Sequence, residues 1–367
     1  MNQQDPIRIA GAGLSGLSAA IGLAQQGHVV DVFEKNADSG ESRRGHWDAM
    51  ENWTTEEDVL ELLCQAGIAA DFEHRPISNI DVYAGNGARY SVSVKQPLCY
   101  LVKRGPEQGS LEYALKSQAL RHGVNIHYSQ PRTRDAVDVW AAGCKSGGFF
   151  LGAGLAFRTT HPDVVMCLVD TFAAPKAYAY LVIVDGQGTL TTVLTRDFIH
   201  ARQYLDRSTE FFRQTCAFNM EDVHMSSGFG GALSAFWQPV TNPIVVGEAG
   251  GFQDFLWGFG IRHALFSGQL AARAIHERLD YERLVSREIR PSIRSSLVNR
   301  AIYDHLGNPI SGRVLQWFSS SPALPRLLRW LYRASTPRNL LWPAIRYGYI
   351  RFHERKDSPL PRASPVE

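Results

Sequence analysis

The amino-acid sequence predicts an α/β fold that combines a Rossmann-like domain, an inserted antiparallel β-sheet and a C-terminal helical region. The segment Ile7–Lys35 reads as an apolar strand, a glycine turn, an alanine-rich helix and a second apolar strand. From Gly152 to Thr195 the pattern changes to several strands rich in Val, Thr and Tyr. From about Tyr281 onward the chain reads as helical and rich in arginine. These three observations together define the expected architecture.

The first glycine turn predicts a dinucleotide site. Its glycines fit the pattern G-x-G-x-x-G, in which the first allows a tight turn, the second admits a pyrophosphate and the third lets helix and strand pack closely. The helix that follows would direct free N–H groups and its positive dipole end at the phosphates. An acid ends the second strand, where it would accept hydrogen bonds from the hydroxyls of an unphosphorylated ribose, as in FAD or NAD. The predicted contacts are Gly11, Gly13, Leu14, Ser15, Gly16, Glu34 and Lys35.

Composition excludes several classes of protein. The chain has 367 residues, of which 44% are hydrophobic, and a formal net charge of +2, so no nucleic-acid partner is expected. The polar start MNQQDP leads directly into the first strand, and no apolar run has the length of a spanning helix, so we expect no targeting segment and a cytoplasmic location. Five scattered cysteines without C-x-x-C spacing indicate reduced thiols and no metal site.

The elements after the first unit follow from local patterns. The polar stretch Asn36–Trp53 is long for a connection, so we interpret it as a binding loop. Thr54 and Glu57 form a capping box, which predicts a helix over Glu56–Ala66. The alternation in Asn79–Val94 around Gly85-Asn86-Gly87 predicts a β-hairpin.

The next segments predict a return to the parallel sheet. Tyr100–Arg104 reads as a strand, Leu111–His122 as a helix capped by Ser110, and Val124–Tyr128 as a strand, which is a crossover pattern. Asp138–Ala142 reads as a further buried strand that ends in a glycine turn.

A second glycine-rich loop lies beyond the β-rich region. Phe198–Ala217 has helical spacing, and Pro243–Val246 is a short strand. The loop Gly247–Gly260 then opens a helix predicted over Ile261–Leu279, which repeats the anion-site pattern of the first turn. The predicted domains are a nucleotide-binding domain of residues 1–75, 100–150 and 240–280, a substrate-binding sheet domain of residues 76–99 and 151–239, a helical region of residues 281–355 and a disordered tail of residues 356–367.

The helical region mixes basic and large apolar side chains. Between His305 and His353 there is no Asp or Glu, whereas arginines alternate with Trp, Leu, Phe and Tyr. This composition suits a helix that lies on an anionic membrane, and it equally suits a lid that packs on the protein. Residues 313–353 are therefore candidates for peripheral membrane contact or for a lid.

With both glycine loops identified, the chain resembles FAD-dependent oxidoreductases of the geranylgeranyl reductase branch, within the p-hydroxybenzoate hydroxylase-fold superfamily. Gly11–Glu34 resembles the FAD fingerprint, and Leu101–Leu111 resembles the segment whose arginine, here Arg104, lies near the flavin. Gly247–Ala272 resembles the family run G-D-A-A-G-F-x-x-P-x-x-G-x-G-I and the small-residue helix after it. The resemblance implies a Rossmann-like FAD-binding domain of the glutathione reductase type.

The resemblance also implies which residues contact the flavin. Glu248 would hold ribityl hydroxyls, and Gly258 and Gly260 would let the backbone approach the isoalloxazine ring. The helix that begins at Ile261 would direct its N-terminus at N1 and O2 of the ring and stabilise the anionic reduced form. The candidate cofactor contacts also include Arg43 and Arg44 in the long loop and Gly247 in the second glycine loop.

Four departures from the patterns of these flavoproteins leave the substrate open. Phe255 replaces the proline that usually lies beside the flavin, and Tyr178 to Ile183 only faintly matches the isoprenoid signature Y-x-W-x-F-P. The G-A-D-G motif of aromatic hydroxylases is replaced by residues 142–145, and the W-x-W-x-I-P motif of flavin halogenases is absent.

Three functions remain open at this point. The first is an FAD-dependent oxidoreductase that transfers hydride through the flavin to or from a carbon–carbon bond of a bulky apolar, isoprenoid or polyene-like molecule. The second is a flavin-dependent monooxygenase that uses a C4a-hydroperoxyflavin, and the third is a non-redox cyclase or lipid-binding flavoprotein. No second nucleotide site is visible, so NAD(P)H as electron donor would dock transiently, or a ferredoxin would serve. The candidate catalytic residues are His46, Trp47, Tyr178 and Tyr180.

Overall fold

The computed structural model describes residues 5–144, 147–305, 312–321 and 323–356. Part of the expected turn after Ala142, and residues 357–367 of the tail expected to be disordered, lie outside the described residues. The strands are β1 Ile7–Ala10, β2 Val30–Phe33, β3 Trp47–Glu51, β4 His74–Ile77, β5 Asn79–Ala84, β6 Arg89–Ser93, β7 Cys99–Lys103, β8 Asn125–His127, β9 Val139–Trp140, β10 Phe150–Arg158, β11 Val164–Val169, β12 Tyr178–Val184, β13 Gln187–Leu194, β14 Glu221–Gly230 and β15 Ile244–Val245. The helices are α1 Leu14–Gln25, α2 Val59–Gln65, α3 Leu111–Arg121, α4 Ala201–Thr215, α5 Leu233–Phe236, α6 Ile261–Glu277, α7 Tyr281–Glu288, α8 Arg290–His305, α9 Gly312–Ser320, α10 Leu324–Tyr332 and α11 Thr336–Lys356.

The Rossmann-like unit is a five-stranded parallel sheet in the order β15-β9-β1-β2-β8. Its strands are short apolar runs, as expected for strands that helices cover on both faces. Helix α6 packs closely on α1, since a Cβ added to Gly268 would lie 2.4 Å from the carbonyl oxygen of Ser15. The predicted strand, helix and strand order of this unit is confirmed.

The crossover prediction is wrong in one respect. Strand β7, which precedes α3, does not lie in the parallel sheet but in a separate three-stranded antiparallel sheet, β3-β7-β4. Strand β3 occupies part of the stretch Asn36–Trp53 that was predicted to be loop. Its pairing partner β7 lies about 50 residues away in sequence, so local pattern could not identify it.

Helix α2 also begins later than the capping box predicted. Its N-cap is Asp58, whose carboxylate accepts a hydrogen bond from the Leu60 amide at 2.9 Å. The hydroxyl of Thr54 instead donates to Glu51 at 3.3 Å. The helix therefore starts at Val59 rather than at Glu56.

The β-rich region forms a seven-stranded sheet in the order β14-β10-β13-β12-β11-β5-β6. The antiparallel arrangement and the hairpin of β5 and β6 are confirmed, except that β5 and β11 pair in parallel. Strand β14 was not predicted, because its sequence EDVHMSSGFG is polar and glycine-rich and lacks apolar alternation. Helix α4 covers one face of this sheet through the buried side chains of Leu205 and Phe212.

The C-terminal helices contact one another and the second glycine loop. The hydroxyl of Tyr332 on α10 donates to Asp254 in the second glycine loop at 2.9 Å. Asn299 on α8 donates to the Leu331 carbonyl at 2.6 Å. Among the described residues, no helix is both long enough and apolar enough to cross a bilayer.

Candidate functional site

A cavity of about 1070 Å³ lies at the carboxyl ends of β1, β2 and β9 and extends along the large sheet. This volume is at the upper limit for a site that takes one drug-sized ligand. We call the part lined by the two glycine loops and by Glu34 the nucleotide half. We call the part lined by the large sheet and by α9 and α10 the substrate half. The carboxyl edge of a parallel sheet is where α/β folds bind ligands.

The three glycines of the first turn have different local environments. Gly11 has a φ of +103°, and a Cβ there would lie 2.4 Å from the Ala141 carbonyl oxygen. A Cβ on Gly16 would lie 1.9 Å from the carbonyl oxygen of Gly11. A Cβ on Gly13, by contrast, would have no atom within 4 Å, and Gly13 lines the cavity. Two glycines are therefore needed for packing, and the third borders open space in which a phosphate could lie.

Glu34 is held by the backbone around it. Its side chain accepts hydrogen bonds from the Ala12 amide at 2.8 Å and from the Asn36 amide at 2.9 Å. The Glu34 side chain is buried yet lines the cavity. Lys35, Leu14 and Ser15 also line the cavity. Because each carboxylate oxygen has a further lone pair, Glu34 can still accept hydrogen bonds from ribose hydroxyls.

The second glycine loop contributes an acid and a helix N-terminus. Glu248 accepts hydrogen bonds from the amides of Gly231 at 3.2 Å and Cys144 at 3.3 Å, and burial raises the pKa of its carboxyl group. Helix α6 begins at Ile261 with Gly260 as N-cap, without a capping side chain or an acid in its first turn. Its first amides are therefore available to an electron-rich group. Gly258, with a φ of +92°, also lines the cavity, whereas Gly247 packs beside Ser15.

The arginines differ in the charge they offer. Arg104 is buried and donates to Glu112 at 2.6 and 2.9 Å and to Asp48 at 2.5 Å, so carboxylates balance its charge. Burial alone would raise the pKa of Asp48, but Arg104 holds it below its usual value. Arg44 forms an exposed ion pair with Glu107 and does not line the cavity. Arg43 lines the cavity, half-exposed, 4.0 Å from Asp48.

The candidate catalytic residues fall into two groups. His46, Tyr178 and Tyr180 line the cavity, whereas Trp47 is buried in a cluster that contains Ile77. Burial lowers the pKa of His46 and raises that of both tyrosines, so all three side chains are uncharged at neutral pH. The hydroxyl of Tyr178 already donates to the Trp257 carbonyl at 2.7 Å. Because Trp47 is buried and does not line the cavity, it has no direct access to a ligand there.

The sequence did not identify the apolar wall of the substrate half. Its members come from distant strands and from the C-terminal helices, and a short apolar run gives no indication of which face it presents. The three- and four-residue spacing of apolar side chains in α9 and α10 was the available signal. The wall includes Ile80, Val82, Leu101, Val165, Met166, Cys167, Val182, Leu315, Phe318 and Leu328.

Comparison with known proteins gives a consistent result. The family model of a NAD(P)-binding Rossmann-like domain matches residues 9–47. No curated protein matches the sequence. Among solved structures, a geranylgeranyl bacteriochlorophyll reductase-like protein from Thermoplasma acidophilum is 17% identical, with coverage of 96% of this chain and 98% of that chain and a TM-score of 0.64. A flavoprotein/dehydrogenase from Cytophaga hutchinsonii is 13% identical, with coverage of 94% and 99% and a TM-score of 0.63.

A third structure, a flavin-dependent brominase, is 16% identical, with coverage of 95% of this chain and 99% of that chain and a TM-score of 0.60. At these identities the similarity concerns the fold. The three structures nevertheless cover 94% to 96% of the chain. The chain therefore shares the fold of these three proteins, and residues 9–47 match the model of a NAD(P)-binding Rossmann-like domain.

Proposed function

We propose that the protein is an FAD-dependent oxidoreductase that acts on a bulky apolar small molecule. The observation that carries this proposal is that one cavity is lined both by the nucleotide turn and by a large apolar wall. The open space beside Gly13, the carboxylate of Glu34 and the uncapped start of α6 fit the pyrophosphate, the ribose and the flavin ring respectively. A cofactor and a substrate would thus be enclosed together.

Bound FAD would supply two-electron chemistry, and the residues of this chain would bind, orient and protonate. Tyr180 keeps its proton at neutral pH and can donate a hydrogen bond to the substrate. His46 is uncharged and can accept a proton. The apolar wall excludes water and selects for molecules with few polar groups. The proposed cofactor contacts all line the cavity: Gly11, Gly13, Leu14, Ser15, Glu34, Lys35, Arg43, Glu248, Gly258, Gly260 and Ile261.

The test is an anaerobic reoxidation experiment. The purified protein is loaded with FAD, its visible spectrum is recorded, and the reduced form is mixed with unsaturated lipids of several chain lengths without oxygen. Return of the oxidised flavin spectrum supports transfer to a carbon–carbon bond. A protein that cannot take up FAD contradicts the whole proposal, and product formation without any flavin turnover supports the non-redox alternative.

A flavin-dependent monooxygenase is the second candidate. It is favoured by the similarity to the flavin-dependent brominase, which covers the chain as fully as the similarity to the reductase-like protein does. This candidate requires consumption of oxygen in proportion to substrate oxygenated, which an oxygen electrode measures. NAD(P)H is the proposed electron donor, and a ferredoxin is the alternative.

We also propose that α9 to α11 form a lid that contacts an anionic membrane. Leu315, Phe318 and Leu328 on these helices line the cavity. Other large apolar side chains of the same helices are exposed, among them Trp317 and Trp330. Co-flotation with vesicles of phosphatidylglycerol, lost in the double variant Trp317→Ser and Trp330→Ser, would support membrane contact. Absence of flotation would leave the lid role alone.

A further inference from the structure

The floor of the substrate half contains a row of polar groups that crosses four strands. Tyr180 on β12 pairs in register with Thr191 on β13, Thr191 with Gly154 on β10, and Gly154 with Ser226 on β14. Residues directly opposite each other in an antiparallel sheet share one face. All four residues line the cavity.

Polar pairs lie at both ends of this row. Thr191 lies directly opposite Tyr180 on the same face of the sheet. The hydroxyl of Ser226 lies 3.0 Å from Nε2 of His46. Between these pairs, a Cβ on Gly154 would lie 2.7 Å from the Thr191 hydroxyl and 3.5 Å from the Ser226 hydroxyl. Glycine at position 154 therefore keeps the space between the two hydroxyls open.

A second observation indicates that this row is not self-sufficient. Nδ1 of His46 is buried and has no hydrogen-bond partner among the described residues. A buried polar atom without a partner is unfavourable, and such atoms in folded proteins are commonly satisfied by a ligand or by water. A polar group of a bound molecule would provide the missing partner.

The charges around the row select the kind of polar group. Arg104 is paired with both Glu112 and Asp48, and Arg43 lies 4.0 Å from the same Asp48. Two arginines thus face two carboxylates, and the neutral His46 adds no charge. Because no net positive charge remains, the row does not suit a phosphate or a carboxylate, which require cationic partners in a buried site.

We infer that His46, Ser226, Thr191 and Tyr180 form a subsite for one uncharged hydroxyl or carbonyl group on an otherwise apolar substrate. This inference rests on the proposed function and narrows its substrate class to molecules such as long-chain alcohols or phenols. Prenyl diphosphates and pure hydrocarbons are excluded. The subsite holds the polar end of the substrate while the apolar wall holds the remainder.

The test compares three ligands with the same carbon skeleton: farnesol, farnesene and farnesyl diphosphate. Each is titrated into the FAD-loaded protein, and the dissociation constant is measured by calorimetry. Farnesol is expected to bind about tenfold more tightly than either of the others, the effect of one or two hydrogen bonds that only it can form. Equal affinities, tightest binding of the diphosphate, or no measurable binding would overturn the inference.

Two variants identify the residues responsible. Ser226→Ala and the isosteric Thr191→Val are each expected to weaken farnesol about tenfold and to change farnesene less than twofold. The matched control is Ser91→Ala, an exposed serine on β6 of the same sheet, for which no change is expected. Unchanged farnesol affinity in both variants contradicts the subsite. Visible flavin absorbance, recorded before each titration, separates this failure from failure of the proposed function.

Discussion

The nucleotide half of the cavity is shaped mainly by backbone, whereas the substrate half is shaped by side chains from distant parts of the chain. In the nucleotide half, Cβ atoms on Gly11 and Gly16 would overlap carbonyl oxygens, and two backbone amides fix Glu34. In the substrate half, the wall depends on side chains such as Leu315 and Leu328 from the C-terminal helices. Backbone geometry tolerates little change, while an apolar wall can be repacked. The first half should therefore be sensitive to substitution and the second adaptable.

The largest effect is expected from Gly16→Ala. The new methyl group would lie 1.9 Å from the Gly11 carbonyl oxygen, so the main chain of the turn must move. We expect a loss of more than about 4 kcal/mol of unfolding free energy and no retained FAD. Chemical denaturation and flavin absorbance measure the two effects.

The matched variant Gly13→Ala separates packing from ligand binding. Its methyl group would meet no atom within 4 Å in the ligand-free protein. Stability without FAD should stay within about 0.5 kcal/mol of the parent, while FAD affinity should fall at least tenfold because the methyl group occupies the proposed phosphate position. If FAD affinity is unchanged, the pyrophosphate does not lie beside Gly13.

The next largest effect is expected from Glu112→Ala. This change leaves the buried guanidinium of Arg104 with one carboxylate partner instead of two. Removing one partner of a buried ion pair costs about 3 kcal/mol of unfolding free energy. Arg44→Ala removes an exposed pair with Glu107 instead and should cost less than about 1 kcal/mol. Similar losses in the two variants would mean that Arg104 is not a structural residue.

The same contrast explains how much could be predicted from the sequence. Most of the nucleotide half comes from one short stretch of chain, because the first turn, its helix and the acid that follows β2 all fall within Gly11–Glu34. Glycine spacing and hydrophobic pattern therefore sufficed to identify them. The second loop was equally local, and the helix predicted from Ile261 is confirmed.

The substrate half could not be derived in this way. Ser226 lies on β14, whose polar sequence gave no strand signal. The position of β3 depends on pairing with a distant strand, which also takes Trp47 away from the cavity. The contact of Leu315 and Leu328 with the cavity depends on how the C-terminal helices pack, which no local pattern encodes.

A pH-dependent contribution to stability is expected from His263, a buried residue in the first turn of α6. Burial lowers its pKa to about 3, whereas an unfolded histidine titrates near 6.5. Between these values the unfolded state binds more protons, so this residue lowers stability as pH falls below 6.5. His263→Asn should remove this effect. The unfolding free energy of the variant, relative to that of the parent, should therefore rise by about 1.4 kcal/mol between pH 7.5 and pH 5.5.

Glu51 does not disturb this comparison. Burial raises the pKa of its carboxyl group to about 7, so its folded form binds more protons and gains stability as pH falls towards the unfolded value. The contribution is shared by parent and variant and cancels in the difference. His122→Asn removes an exposed histidine and serves as control. The test measures the denaturant midpoints of the parent and both variants at the two pH values.

The smallest effect is expected from Leu328→Ala in the wall of the substrate half. Leu328 is partly buried and faces a cavity, so its truncation enlarges existing space instead of leaving a closed void, and the stability loss should stay below about 1.5 kcal/mol. The lost apolar contact should weaken an apolar ligand about fivefold, roughly 1 kcal/mol. Leu340→Ala on α11, where the side chain is 76% exposed, should alter neither quantity.

Calorimetric titration with farnesol compares the two leucine variants directly, and equal affinities in both would show that α10 does not contribute to the wall. A fivefold loss of farnesol affinity in Leu328→Ala, with FAD affinity unchanged, would instead show that the two halves of the cavity can be altered separately. Such independence is required if backbone shapes the nucleotide half and side chains shape the substrate half.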